Sequence, residues 1–107
     1  MRRWIAALAL VPALAWGQEI DCNAELPDMY RVVDEARQIK SLGGTKRQII
    51  EHASQQDDQF VRDLMIEAAN GVYSTLDFSD DDIVQQLDII CREHNIKAMR
   101  ERRNASR

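Results

Sequence analysis

Two histidines, His52 and His94, are all the imidazole in this chain of 107 residues, and that shortage narrows its chemistry. No serine lies in a nucleophile-elbow pattern, and no glycine-rich loop is built to cradle phosphate. Carboxylates are plentiful, but a pair becomes an acid and a base only where a pocket shifts one of them. Most of these fall at helix starts or on polar faces, so the expectation is a protein that is not an enzyme, with no catalytic residue and no cofactor. Cys91-Arg92-Glu93-His94 has half of a zinc spacing, with Cys22 as a possible third ligand. There is no second CxxC and no HxxxH to complete it, and a disulfide beside a solvent-facing histidine is the simpler account. Asp77, Asp80, Asp81 and Asp82 lack the glycine and distal glutamate of a calcium-binding loop, and helix capping accounts for them. No metal is expected.

Long apolar runs are missing too. Arg2 and Arg3 precede an apolar stretch from Trp4 to Ala15, well short of the roughly 20 residues that span a bilayer. A basic start, a short apolar segment and small residues at cleavage spacing form a signal peptide. Two cuts fit, after Ala15 or after Gly17, and the second leaves a polar start at Gln18. The organisation read from this is a leader at 1–17, a helical domain at 18–95 and a basic tail at 96–107. The mature protein is expected to be periplasmic or secreted, with no stable membrane insertion.

Removing the leader leaves 12 basic and 18 acidic residues, a net −6. The charge is uneven: Gln18 to Cys91 carries −10, and Arg92 to Arg107 carries +4. Two cysteines remain, Cys22 and Cys91, and export would place them where disulfides persist.

Alternating strand patterns, internal repeats and proline-rich linkers are also missing, and helical periods fill the space. Phe78 to His94 organises the chain: Ser79 caps, Asp82 completes a short-armed capping box, and Ile83, Leu87, Ile90 and Cys91 follow i, i+4, i+7, i+8. This helix is expected to continue as an exposed extension toward Met99, with Asn104 to Arg107 fraying. An earlier helix runs from about Pro27 to Leu42, with Leu26, Tyr30, Val33, Arg37 and Lys40 on one side and Met29, Ala36 and Ile39 filling the neighbouring strip, and Gly43-Gly44 ends it. Thr45 to Gln48 is a capping box for a short helix over about 46–54. Asp57 or Asp58 then caps a helix reaching about Ser74, with Gly71 a weak point or a place of close approach. The predicted fold is all-α, a small four-helix bundle-like domain closed by one disulfide. Its expected core is Tyr30, Val33, Ile49, Ile50, Phe60, Leu64, Met65, Ala68, Val72, Ile83, Leu87 and Ile90. In an up-down-up-down bundle the first and last helices are antiparallel, which brings Cys22 to Cys91. Residues beyond about Asn95 then overhang.

That overhang carries Lys97, Arg100, Arg102 and Arg103 with Ile96 and Met99 interspersed, the candidate partner-binding tail. Its other reading is a solvated helix end whose cations complement the dipole. No nucleic-acid partner is expected, since the body is acidic and no aromatics interleave with the tail cations. The oligomeric state is left open.

A leader, an early cysteine, helices ending in Gly71-Val72-Tyr73, a short link, Ser79-Asp80-Asp81-Asp82 and a final cysteine resemble a loose class of small secreted bacterial two-cysteine helical proteins of uncharacterised function. The resemblance implies compartment and fold, and no activity. The chain is also similar, more faintly, to the periplasmic acid-stress chaperones, short helical proteins with one disulfide. The expected function is protein–protein binding with an unknown protein partner. The alternatives are an acid-stress chaperone-like protein or a toxin inhibitor or immunity protein.

Overall fold

The computed structural model describes residues 19–105; the expected leader, both of its cut sites and residues 106–107 lie outside that range. Four helices make up the described part, and each begins and ends for a local reason. Asp21 Oδ1 accepts from the amides of Asn23 and Ala24 at 3.2 and 3.3 Å, forming a turn that feeds α1, Leu26–Ser41. Pro27 sits in its first turn, where no amide is needed. Gly43, at φ +87°, ends it. The Gly44 amide donates to the Ile39 carbonyl at 2.8 Å and the Gly43 amide to that of Lys40 at 3.1 Å, the two bonds of a Schellman cap.

The restart is equally local. Thr45 Oγ1 accepts from the Gln48 amide at 3.2 Å and Gln48 Oε1 accepts from the Thr45 amide at 2.9 Å, the reciprocal box that opens α2, Lys46–Ser54. Asp58 Oδ1 accepts from the Val61 amide at 3.0 Å at the start of α3, Gln59–Val72. Ser79 and Asp82 form a second box, with bonds of 3.1 and 3.3 Å. It opens α4, Asp80–Ala105, which runs six residues past Met99 without a break. Asn104 and Ala105, expected to fray, are still helical.

Helix α3 is central: it packs on α1, α2 and α4, and α1 also packs on α4. Its wide face of Phe60, Val61, Leu64, Met65, Ala68, Ala69 and Val72 is buried throughout. Leu64 and Leu87 are fully enclosed, each worth about 1.5–3 kcal/mol of apolar burial. Gly71 is a place of close approach, since a Cβ there would stand 2.8 Å from Ile83 Cγ1. Contacts between α1 and α4 step in opposite directions along the chain, from Cys22–Cys91 to Tyr30–Asp81 to Arg37–Asp80, so these helices are antiparallel. The Cys22–Cys91 disulfide is formed, with a Cα–Cα distance of 5.9 Å.

The face of α1 is a correction. The buried residues are Met29, Val32, Val33 and Ala36, an i, i+3, i+4, i+7 set centred on the neighbouring strip of Met29 and Ala36 and turned one position from the main stripe of Tyr30 and Arg37. Tyr30 is 43% exposed and belongs to the surface, where its hydroxyl donates to Asp81 Oδ1 at 2.7 Å. A phenol with an acceptor in reach gains more at the rim than inside. Ile50 and Ile90 are half-buried.

The overhang is also shorter than expected. Asn95 holds the backbone of Ile20, Ala98 is buried and Arg102 pairs with Glu19 at 3.0 Å. The segment before α1 therefore lies along the last turns of α4.

Candidate functional site

Between α3 and α4 lies an open cleft of about 360 Å³. From α3, Gln59, Asp63 and Glu67 line it at i, i+4, i+8, one row of a helix. From α4 come Ile90, Glu93, His94 and Lys97 at i, i+3, i+4, i+7. Phe60, Ile66 and Ile90 supply the apolar lining, and Asp63, Glu67 and Glu93 set a negative rim with Lys97 among them. Gln59 Nε2 donates to Asp63 Oδ1 at 2.9 Å and steadies that carboxylate. The His94 ring packs on Phe60 with centroids 5.1 Å apart, tilted by 42°. Its Nε2 is buried and meets no hydrogen-bond partner among the described residues.

The four tail cations do not form one patch. At about 100° per residue, Lys97 and Arg102 stand roughly 140° apart around α4. Lys97 borders the cleft, Arg102 is committed to Glu19, and Arg100 and Arg103 are exposed on the outer side. Cys22 and Cys91 are both buried and joined to each other. The aspartates at the start of α4 are occupied as well: Asp80 with Arg37, Asp81 with Tyr30, and Asp82 with the Ser79 amide. Among the described residues no group of three His, Cys, Asp or Glu side chains is placed to hold a metal.

Three groups near this framework have shifted ionisation. Burial raises the Glu25 carboxyl above its ordinary range, with Asp28 and then Asp21 adding to the effect. The hydrogen bond to Asp81 raises the Tyr30 phenol, and burial raises that of Tyr73. Tyr73 donates to the Gly44 carbonyl at 2.6 Å, and Lys40 Nζ donates to the Val72 carbonyl at 3.0 Å. The end of α3 is thereby tied to the α1–α2 turn.

The cleft was not anticipated from sequence. From sequence, His94 is placed facing solvent and none of Gln59, Asp63 and Glu67 is singled out. What joins them is the packing of α3 on α4. No protein-family model, curated protein or solved structure matches this chain.

Proposed function

We propose that this protein is exported and acts without catalysis, by binding another protein in the α3–α4 cleft. The observation that carries the reading is the cleft's composition, an apolar lining of Phe60, Ile66 and Ile90 under a rim of three carboxylates. Such a surface complements a segment that presents a lysine or arginine beside an apolar side chain. The disulfide supports it by holding α4 against the start of α1, so that little ordering cost remains to be met on binding. A disulfide also suits an oxidising compartment, and no described helix is long and apolar enough to cross a membrane. Lys97 links the cleft to the tail.

A toxin inhibitor would work through the same kind of contact. The acid-chaperone alternative needs a fold that loosens on acidification. Glu25, whose carboxyl is held above its usual range, favours the folded chain in that direction.

The test compares immobilised wild-type protein with the Asp63→Lys/Glu67→Lys variant as baits in an extract of the producing cell. A partner held by the first and lost by the second, with release at high salt, is the expected result. Identical capture by both baits would remove the cleft from the account.

A further inference from the structure

The cleft between α3 and α4 has a neighbour on the same two helices. Beyond Glu67 they enclose a second hollow of about 490 Å³, with Asn70 and Gly71 from α3, Ile83 and Gln86 from α4, and Phe78 from the link. Glu67 lines both openings. Gln59, Asp63, Glu67 and Gly71 stand four apart, so a single row of α3 walls the whole length. Opposite them, Gln86, Ile90, Glu93 and Lys97 step along α4 at helical spacing. Gly71 lies against Ile83 and Phe60 against His94, so α3 and α4 are antiparallel. The two hollows are the halves of one trough, roughly 18 Å from end to end on α3.

The charge of the trough is open. Asp63, Glu67, Asp82 and Glu93 line it against the single cation Lys97. Glu67 and Glu93 have no hydrogen bond or ion pair among the described residues, and Asp63 has only the neutral amide of Gln59. The groove between α1 and α4 is also acidic, but there Asp81 is held by Tyr30, Asp82 by the Ser79 amide and Asp88 by Arg92. Of these two acidic grooves, only the α3–α4 trough offers carboxylates with no cation of their own. They stand on both walls, Glu67 on α3 and Glu93 on α4, above the apolar floor of Phe60, Ile66 and Ile90.

The backbone of both walls is helical and pairs within itself, so an extended segment laid in the trough would find no ladder for its amides. A helix brings its own. Resting on the reading of the cleft as a protein-binding site, we infer that the partner enters as a cationic amphipathic helix of about 12 residues, which fills both hollows. Its apolar stripe, at i, i+4 and i+7, faces the floor. Lysines or arginines on both edges of that stripe reach Glu67 on one wall and Glu93 on the other.

The experiment titrates the isotope-labelled chain, as the cell matures it and with its disulfide intact, with a leucine–lysine peptide of about 14 residues whose leucines follow helical spacing. Amide shifts should move along both halves of the trough, at Asp63, Asn70, Gln86 and Glu93. They should saturate with a dissociation constant of about 10–100 µM and weaken with salt. The peptide should turn helical as it binds, since alone it is too short to hold a helix. A peptide of the same composition with leucines at alternate positions should bind at least about tenfold more weakly. Glu67→Lys should cost about tenfold, and Gln86→Lys, which alters the second hollow alone, about threefold. Gln86 is exposed and unbonded among the described residues, so that variant keeps the fold. No shift up to about 1 mM peptide, equal binding of the alternating peptide, or shifts centred on Asp81 and Asp88 would overturn the inference. Binding that leaves Asn70 and Gln86 unmoved and ignores Gln86→Lys would overturn it too, while leaving the first cleft intact as a protein-binding site. The cleft reading itself stands or falls on the capture comparison above, which uses no peptide.

Discussion

Asn95 holds the backbone of Ile20 on both sides, its Oδ1 accepting from the Ile20 amide at 2.7 Å and its Nδ2 donating to the Ile20 carbonyl at 2.8 Å. One side chain thus does for the entering chain what a neighbouring strand does in a sheet, and it does so across 75 residues of sequence. Asn95→Ala leaves both backbone groups partly buried without these partners. The expected cost is about 1–3 kcal/mol, read as a melting temperature lower by several degrees. Asn95→Asp keeps the acceptor and loses the donor, and should fall between the two.

The disulfide should dominate stability. It closes a sequence separation of 69 residues, for which the chain-entropy account gives about 4 kcal/mol. Urea unfolding of oxidised protein and of the Cys22→Ala/Cys91→Ala variant measures the difference. A loss below about 1 kcal/mol would mean that the reduced chain is held by something else.

Gly71→Ala opposes two effects. Helix propensity favours alanine by about 1 kcal/mol. Against it, the new Cβ would stand 2.8 Å from Cγ1 and 3.1 Å from Cδ1 of Ile83, a side chain 2% exposed. Overpacking at about 1–3 kcal/mol outweighs propensity, so the variant should be destabilised. In an Ile83→Ala background the same change should become neutral or stabilising, and a double-mutant cycle reads that coupling.

Glu25 gives a pH dependence with a definite sign. Burial, then Asp28, then Asp21 hold its carboxyl above the ordinary range, so the folded chain binds this proton more tightly than the unfolded chain does. Its contribution is most favourable in acid and is lost as pH rises through the folded-state value. Glu25→Gln, with no charge to bury, should therefore melt higher than wild type at neutral pH. The gain should shrink as pH falls toward about 4. A gain that does not vary with pH would show that the carboxyl is not shifted.

The parts of this fold that were legible are those encoded within a few residues. Thr45 with Gln48 and Ser79 with Asp82 are each a pair three apart, and both boxes form as read. Cys22 and Cys91 had no other cysteine to choose. The face of α1 was misjudged because Tyr30 counts as apolar by composition, while its hydroxyl is drawn outward by Asp81, 51 residues away. The grip of Asn95 on Ile20 and the pairing of Arg102 with Glu19 have no period to betray them, since one member of each lies in an irregular segment. Of the cleft, the row on α3 was not singled out and its meeting with α4 was not visible. Which face of α3 turns to α4 depends on the packing of the core.

The covalent ring also orders events during biosynthesis. Cys22 is made early, and its partner follows 69 residues later, a delay of roughly 3–14 s at ordinary elongation rates. Through that interval the Cys22 thiol has no other cysteine in its own chain to pair with, so a premature bond can form only with another molecule. Closure must wait for the first twelve residues of α4. The ring is therefore completed only from α4, and any lesion that halts the chain before Cys91 leaves the Cys22 thiol unpaired.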